Sequence, residues 1–155
     1  MITLIQGCIF LIYVIYIISK FGMLPSISDS YYRFKGFNEV IFFWIFCTSL
    51  GFLMLGQEHH GFLFYASGIG LMLTGLMAPF KNTHFNIALW HSIGAYTCIF
   101  SALIGLLVER HTYLPLFSFF VIAIIIKLMN LKNNTFWLEI SAFACIILGF
   151  WIYPS

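Results

Sequence analysis

The chain has 155 residues, of which 62% are hydrophobic and 8% are charged, and its formal net charge is +2. Because soluble domains carry about a quarter charged residues, this composition excludes an ordinary water-soluble fold. The few Lys and Arg residues stand mostly at the ends of apolar runs, a pattern that gives no support to nucleic-acid binding. We therefore expect an all-α fold, a polytopic transmembrane helical bundle.

Six apolar runs are each long enough to cross a bilayer as an α-helix, which needs about 17–25 residues. These predicted spans cover approximately residues 2–19, 38–55, 62–79, 86–108, 113–129 and 135–153. Since the runs take up most of the chain, we predict a single transmembrane domain over residues 1–155 with six spans. The first run begins without a charge, which favours an uncleaved span over a signal peptide.

The longest predicted connection, about residues 20–37, follows the first span. Its Pro25 and the cluster Ser28-Asp29-Ser30 are turn and cap formers, and aromatic residues interleave with Arg33 and Lys35. Aromatic rings and long cationic side chains favour the head-group layer of a membrane. We therefore expect this segment to lie flat on one membrane interface or tucked slightly into it.

The start of this connection carries a short motif. The stretch Leu24-Pro25-Ser26-Ile27-Ser28-Asp29 resembles the Pro-x-Ile-Ser-Asp signature of the Frag/Dram group of small six-span membrane proteins. The six-span layout and a His near the start of the fourth span are similar too. Members of that group are linked to lipid-anchor remodelling, lysosomal membranes and the regulation of other membrane proteins. The resemblance implies Ser28 and Asp29 as possible site residues, and it implies no agreed catalytic mechanism.

Small residues and two histidines mark the third and fourth predicted spans. Gly70 in the third span and Gly94 and Gly105 in the fourth belong to stripes of small residues at helical spacing, which predict close helix packing. His84 and His91 are seven residues apart, too far along one helix to share a metal ion. We expect His91 either to make buried hydrogen bonds or to act in acid–base chemistry, because imidazole titrates near neutral pH.

The last two predicted spans carry charged residues at similar membrane depth, Lys127 and Glu139. An ionised carboxylate inside the apolar region is costly, so Glu139 should be neutral, paired or facing a wet cavity. We expect an ion pair between Lys127 and Glu139 that fixes the hairpin of these two spans. Two alternatives stay open: Glu139 belongs to a functional site, or both side chains extend to the head groups.

Positive charges are distributed unevenly between the two ends of the predicted bundle. The end that holds the first, third and fifth connections is called face A, and the opposite end is called face B. Face B holds Arg110, whereas face A holds the other six cations, Lys20, Arg33, Lys35, Lys81, Lys127 and Lys132. The positive-inside rule then predicts a cytoplasmic face A and both termini outside the cytoplasm.

Most polar groups of the predicted spans also lie in the face A half. We therefore predict a polar pocket that opens to face A beneath the connection at 20–37. Its candidate binding residues are Ser28, Asp29, Arg33, His84, His91, Lys127 and Glu139. Three of them, Asp29, His91 and Glu139, are also candidate catalytic groups, since carboxyl and imidazole side chains carry out acid–base chemistry.

The loops of face B form a second, weaker polar cluster, Glu58-His59-His60 with Glu109-Arg110-His111. Imidazole and carboxylate groups bind zinc and similar ions. Short loops often hold such residues merely because they are wet, so His59, His60 and His111 are weak candidate metal ligands. We expect no metal and no cofactor.

Three functions remain open. The favoured one is a non-catalytic bundle that binds membrane lipids, another membrane protein or further copies of itself, since the sequence contains no complete catalytic constellation. A lipid-directed enzyme would use Asp29, His91 and Glu139 together at face A. A small transporter or channel would need a continuous polar path, and the apolar face B halves of the spans argue against one.

Overall fold

The computed structural model describes residues 2–33, 37–56, 61–77 and 85–152. In the second range the side chains are described from residue 40, and in the last range from residue 89. Every regular element in these ranges is an α-helix, which confirms the predicted all-α fold. The helices are α1 Ile2–Phe21, α2 Ser30–Arg33, α3 Phe37–Leu55, α4 Phe62–Met77, α5 Phe85–Val108, α6 Leu114–Leu128 and α7 Asn134–Ile152.

Three helices are long and apolar enough to cross a membrane: α1, α7 and the segment Leu89–Val108 of α5. The other predicted spans also form helices, but their apolar segments are shorter, Val40–Leu55, Phe62–Met77 and Leu114–Leu128. At about 1.5 Å per residue these segments measure about 22–24 Å, less than a hydrocarbon core of about 30 Å. Length and composition of the described ranges therefore support three crossing helices, and the number six stays a prediction.

The outward faces of the helices are apolar. On α1, the side chains of Leu4, Leu11 and Ile12 are each more than half exposed. The same is true of Phe117 and Ile124 on α6. Soluble proteins rarely expose contiguous apolar patches larger than a few hundred Å². An exterior of this kind suits the hydrocarbon of a membrane, as the composition predicts.

Helices α4 and α5 pack antiparallel, and their backbones approach closely at Gly70 and Gly94. A Cβ on Gly94 would lie 2.8 Å from the carbonyl oxygen of Gly70, and a Cβ on Gly70 would lie 2.7 Å from the carbonyl oxygen of Gly94. Beside this crossing, the hydroxyl of Ser67 donates a hydrogen bond to the carbonyl of Cys98 (2.8 Å). The predicted close packing of small residues in these two helices is confirmed.

Aromatic rings hold α1 between α3 and α7. The ring of Tyr13 stacks on Phe46 of α3, with ring centroids 3.9 Å apart. On the same helix, Phe10 stacks on Phe143 of α7 at 5.1 Å. All four rings are buried. Since α3 in turn packs on α4, these aromatic contacts join α1 and α7 to the pair formed by α4 and α5.

The loop between α1 and α2, residues 22–29, folds back over the face A end of the bundle. Gly22 ends α1 with a φ of 72°, a left-handed conformation that glycine adopts without strain. Leu24 and Ile27 then pack in the core, where they are 3% and 5% exposed. The loop is therefore tucked into the helix bundle, and the position of the segment relative to the membrane interface stays a prediction.

Hydrogen bonds tie this α1–α2 loop to the start of α7. The side-chain Nδ2 of Asn133 donates to the carbonyl of Met23 (3.0 Å), a residue 110 positions earlier. The backbone N–H of Phe136 donates to the carbonyl of Pro25 (3.0 Å). The N–H groups in the first turn of a helix have no partner within the helix, so the loop supplies one of the missing acceptors for α7.

Candidate functional site

A cavity of about 390 Å³ lies beneath the α1–α2 loop, between α5, α6 and α7. Polar side chains line the end nearest face A: Ser26, Ser28, His91, Ser92, Thr135 and Glu139. Deeper in the bundle the walls are apolar, with Ile99 and Phe100 on α5 and Phe119 on α6. The cavity therefore has a polar end and an apolar end.

The cavity also opens sideways. Three of its lining residues, Tyr96 and Phe100 on α5 and Phe120 on α6, lie partly on the outer surface, where their side chains are 65%, 41% and 50% exposed. These residues stand on the two helices that flank the gap. A ligand can thus reach the cavity between α5 and α6, from the side of the bundle.

The α1–α2 loop positions its serines by hydrogen bonds of its own. The hydroxyls of Ser26 and Ser28 lie 3.1 Å apart, and the backbone N–H of Asp29 donates to the hydroxyl of Ser26 (3.1 Å). The next residue, Ser30, is buried and shares a hydrogen bond with the hydroxyl of Tyr13 on α1 (2.6 Å). Local bonds of this kind are typical of Ser and Asp in turns, and they hold the loop over the cavity.

Glu139 projects from the second turn of α7 toward the loop. Its Oε2 accepts a hydrogen bond from the backbone N–H of Ile27, with 2.5 Å between the two atoms. This bond satisfies a buried backbone donor and gives the carboxyl group a partner where water is scarce. Glu139 also borders a second cavity of about 40 Å³, shared with Cys47 and Thr74, which has room for about one water molecule.

His91 is buried, and the contact of its Nδ1 determines which nitrogen carries the proton. The Nδ1 lies 3.0 Å from the carbonyl oxygen of Thr74 on α4. Because a carbonyl only accepts hydrogen bonds, the Nδ1 of His91 must be the donor. In the neutral ring the Nε2 is then an acceptor. The bond between His91 and Thr74 joins α5 to α4, as expected for a histidine with buried hydrogen bonds.

Three of the candidate binding residues predicted from the sequence, Ser28, His91 and Glu139, line the cavity. Asp29 is half-buried beside them but is not among the described lining residues. The predicted catalytic set is therefore brought together in part: the imidazole and the carboxyl group of Glu139 share one cavity, and the carboxyl group of Asp29 does not line it.

The described cations near face A are not among the residues that line the cavity. Lys127 is exposed near the end of α6, and in the described ranges Glu139 bonds to the N–H of Ile27 instead. The predicted ion pair between Lys127 and Glu139 is thus not formed. Arg33 is exposed at the end of α2, and the last candidate binding residue, His84, lies outside the described residues.

Sequence reasoning missed three of the polar lining residues, Ser26, Ser92 and Thr135. Ser92 directly follows His91, and Thr135 stands in the first turn of α7. Residues next to each other on a helix differ in direction by about 100°, yet both His91 and Ser92 line this wide cavity. The position of Ser92 beside an intramembrane histidine was the available signal.

Among the described residues, no group of three His, Cys, Asp or Glu side chains is placed to hold a metal ion. His111, one of the weak candidate ligands, is exposed in the turn after α5. The two others, His59 and His60, lie outside the described residues.

Two described charged residues at face B, Glu109 and Arg110, contact the start of α4 and two aromatic rings. The Oε1 of Glu109 accepts a hydrogen bond from the N–H of Leu63 in the first turn of α4 (3.2 Å), a favourable place for a negative charge. The guanidinium of Arg110 lies 5.9 Å from the ring centroid of Phe64 and 5.6 Å from that of Phe150, within cation–π distance. Burial lowers the pKa of Arg110, and the neighbouring Glu109 acts in the opposite direction.

The chain finds no match when it is compared with models of protein families, with curated proteins and with solved structures. The resemblance of residues 24–29 to the Frag/Dram signature therefore stays a prediction. Function has to be inferred from the cavity and from the residues that line it.

Proposed function

We propose that this chain is a multi-pass membrane protein with six spans whose cavity binds one lipid molecule without changing it chemically. The way in which α4 packs supports the larger number of spans. This helix contacts α5 from Phe64 beside Gly105 to Thr74 beside His91, about 15 Å along the axis of α4 and about 21 Å along that of α5. Packing along a candidate crossing helix over this distance supports a membrane span for α4 as well.

The exposed cations support the orientation. Lys20, Arg33, Lys127 and Lys132 are all exposed at the end of the bundle that carries the α1–α2 loop, and Arg110 lies at the other end. By the positive-inside rule, face A is then cytoplasmic, and the two termini are outside the cytoplasm.

The two-part lining of the cavity is the observation that carries the proposal of lipid binding. Membrane lipids are amphipathic, and here the hydroxyl, imidazole and carboxyl groups of Ser92, His91 and Glu139 stand at one end, with Ile99 and Phe119 deeper in the bundle. A volume of about 390 Å³ falls in the range of about 300–1,000 Å³ that is typical of small-molecule pockets. The sideways opening would face the acyl chains of the bilayer.

A cavity-filling variant tests lipid binding. The full chain, extracted in mild detergent, is expected to retain a lipid that mass spectrometry of its organic extract identifies. Ala123 lines the cavity on α6, so Ala123→Phe places a ring where the lipid would lie. We expect the retained lipid to fall about tenfold, since overfilling a packed site costs about 1–3 kcal/mol.

Ile122→Phe is the matched control, because it adds the same ring to the neighbouring residue of α6, which is 36% exposed and not among the described lining residues. It should retain as much lipid as the unchanged chain. Equal retention by both variants, or no lipid above the detergent background in the unchanged chain, would contradict the proposal.

A lipid-directed enzyme is the second candidate function, favoured by the position of His91 and Glu139 in one cavity. An enzyme that acts on lipid esters would convert a bound monoacylglycerol, whereas binding alone leaves the mass of the lipid unchanged. Mass spectrometry of the lipid after incubation with the full chain distinguishes the two functions, with Glu139→Gln as the variant that should abolish any conversion.

A further inference from the structure

We propose that the cavity takes a lipid with a single hydrocarbon chain, and that the ring of Phe119 limits the length of that chain. This inference rests on the proposed lipid binding and adds the chemical class and the size of the ligand. It follows from the residues that close the two ends of the cavity, from the position of the side opening, and from the volume and depth between α5 and α6.

Buried apolar side chains close the end of the cavity toward face B, here called the deep end. Phe119 lines the cavity there and is 8% exposed. It also belongs to a core cluster with Leu103, Leu106 and Ile146, which are fully buried. Because protein interiors are densely packed, a chain that runs from the polar end toward face B stops at Phe119.

The α1–α2 loop closes the cavity toward face A. Ser26 and Ser28 line the cavity and are 7% and 8% exposed. The loop is held in this position by the hydrogen bond from the backbone N–H of Phe136 to the carbonyl of Pro25 (3.0 Å). A head group at the polar end is therefore covered by the loop, and the chain attached to it has to run toward Phe119.

The side opening lies beyond the polar end. Two of its residues, Tyr96 and Phe100, come five and nine residues after His91 on α5, about 7.5 and 13.5 Å toward face B. The two chains of a lipid start close together at the head group, so the second chain would have to pass through the cavity over this distance before it could leave. The position of the opening therefore favours a ligand with one chain.

The volume of the cavity also fits one chain. A cavity of about 150 Å³ holds benzene, a molecule of six carbons. At that density, the observed volume of about 390 Å³ has room for about 16 non-hydrogen atoms. This is the size of a small head group with one chain of about 10–12 carbons. Two such chains exceed this capacity even without a head group.

The depth of the cavity indicates a similar chain length. His91 lies 17 residues before the face B end of α5, about 25 Å along the axis. Phe119 lies five residues after the face B end of α6, about 7.5 Å along its axis. The difference of about 18 Å equals an extended chain of about 14 carbons, at about 1.25 Å per carbon. Since the head group takes up part of this depth, a chain of about 10–12 carbons agrees with both measures.

The side opening offers a competing arrangement that the experiment must separate. Phe100 and Phe120 flank the opening and are 41% and 50% exposed. If the end of the chain passed between them into the bilayer, it would not meet Phe119. The length of the chain would then be unrestricted, and a change at Phe119 would have no effect on it.

A mixture of lipids with one head group tests the inference. The full chain in detergent is mixed with equal amounts of the saturated monoacylglycerols from octanoyl to octadecanoyl. The mixture also contains the glycerol monoester of α-decyltetradecanoic acid, which carries two chains on the same head group. Native mass spectrometry measures the bound fraction of each lipid. We expect the strongest binding at about 10–12 carbons, and a dissociation constant at least about tenfold higher for the two-chain ester, since overfilling a packed site is unfavourable.

Phe119→Ala tests the deep end. We expect the preferred chain to lengthen by about two to four carbons, because the removed ring has six carbons and its neighbours relax into part of the space. Phe117→Ala is the matched control, since Phe117 on the same helix is 65% exposed and is not among the described lining residues. It should leave the preferred length unchanged. Should Phe119→Ala fail to fold, the smaller change Phe119→Leu should lengthen the preferred chain by about one to two carbons.

The possible results separate this inference from the proposed function. Equal binding of the two-chain ester, no preferred length, or a preferred length that Phe119→Ala leaves unchanged overturns the inference and leaves lipid binding in place. If no monoacylglycerol binds, the lipid retained from cells decides: one chain supports the inference, and two chains overturn it. If no lipid binds and none is retained, both proposals fail. The comparison of one-chain and two-chain esters in the unchanged chain is decisive even if both Phe119 variants fail to fold.

Discussion

Glu139 shows how one carboxyl group can serve both the fold and the cavity. An ionisable side chain at membrane depth costs about 2.5–3.5 kcal/mol or more without partners. Here the cost is offset by the N–H of Ile27, a buried donor that would otherwise lack a strong acceptor. The same residue forms part of the polar end of the cavity. Substitution of Glu139 should therefore affect both the stability of the fold and binding in the cavity.

Two substitutions at this position separate its structural role. Glu139→Gln keeps a carbonyl oxygen that can accept from Ile27, so we expect a small change in melting temperature in detergent. Glu139→Leu leaves that buried N–H unsatisfied at a cost of about 1–3 kcal/mol, which lowers Tm by about 2–12 °C. Similar Tm values for the two variants would show that the bond to Ile27 contributes little to stability.

Some site residues could be predicted from the sequence because intramembrane ionisable groups are rare. Glu139 and His91 were predicted for this reason. The partner predicted for Glu139 was wrong, since a long Lys side chain at a helix end can reach solvent, and since no sequence pattern reveals a backbone donor such as the N–H of Ile27. Hydroxyls were harder to predict, because they also bond to their own helix, as Ser141 does to the carbonyl of Trp137 (2.6 Å).

At the scale of helices, the crossing of α4 and α5 depends on the absence of side chains. A Cβ on Gly94 would lie within 2.8–3.0 Å of Gly70 and Thr74. In membranes, close backbone approach replaces the hydrophobic effect as the source of helix association. The crossing also fixes the position of His91, whose Nδ1 donates to the carbonyl oxygen of Thr74, one helical turn from Gly70 on α4. Separation of these helices would therefore disturb the polar end of the cavity.

Gly94→Ala tests this crossing. We expect it to lower the free energy of unfolding in mixed detergent by about 1–3 kcal/mol, because the new methyl group pushes α4 away from α5. Gly7→Ala in α1 is the control, since its Cβ would meet Ile147 at 3.5 Å, an ordinary contact. The control should be neutral or more stable by up to about 1 kcal/mol. Equal losses in both variants would contradict the role of the crossing.

The helices of the six apolar runs could be predicted closely from hydropathy, because continuous apolar runs of this length are typical of buried or membrane-spanning helices. The run predicted at 113–129 forms the helix Leu114–Leu128, and the run at 62–79 contains Phe62–Met77. The short helix Ser30–Arg33 was not predicted, since four residues give no helical period. The fold of the α1–α2 loop could not be predicted either, because its hydrogen-bond partners lie in α7, which is distant in the sequence.

At the scale of the whole molecule, the charges and the cavity define the same end. The exposed cations and the polar lining both lie at face A, and the described walls further along α5 and α6 are apolar. The charge asymmetry could be read from the sequence. The sideways opening could not be predicted from the sequence, since it depends on how α6 packs against the other helices.

Cysteine labelling tests the orientation. In a Cys8→Ser background, which removes the exposed native thiol, single cysteines are placed at Tyr113 on face B and at Lys132 on face A. An impermeant maleimide added to intact cells should label Tyr113→Cys and should label Lys132→Cys only after permeabilisation. The reverse pattern would place face A outside the cytoplasm. Labelling of both sites in intact cells would contradict the assignment of face A and face B to opposite sides of the membrane.

The bond between Ile27 and Glu139 joins residues 112 positions apart, which has a consequence for biosynthesis. The α1–α2 loop leaves the ribosome long before α7 has been translated, so its buried N–H and carbonyl groups must wait for their partners. A nascent chain that stops before α7 has the loop, but it has neither the acceptor for Ile27 nor one wall of the cavity. The proposed lipid binding would therefore require that α7 has been made and has packed against the loop.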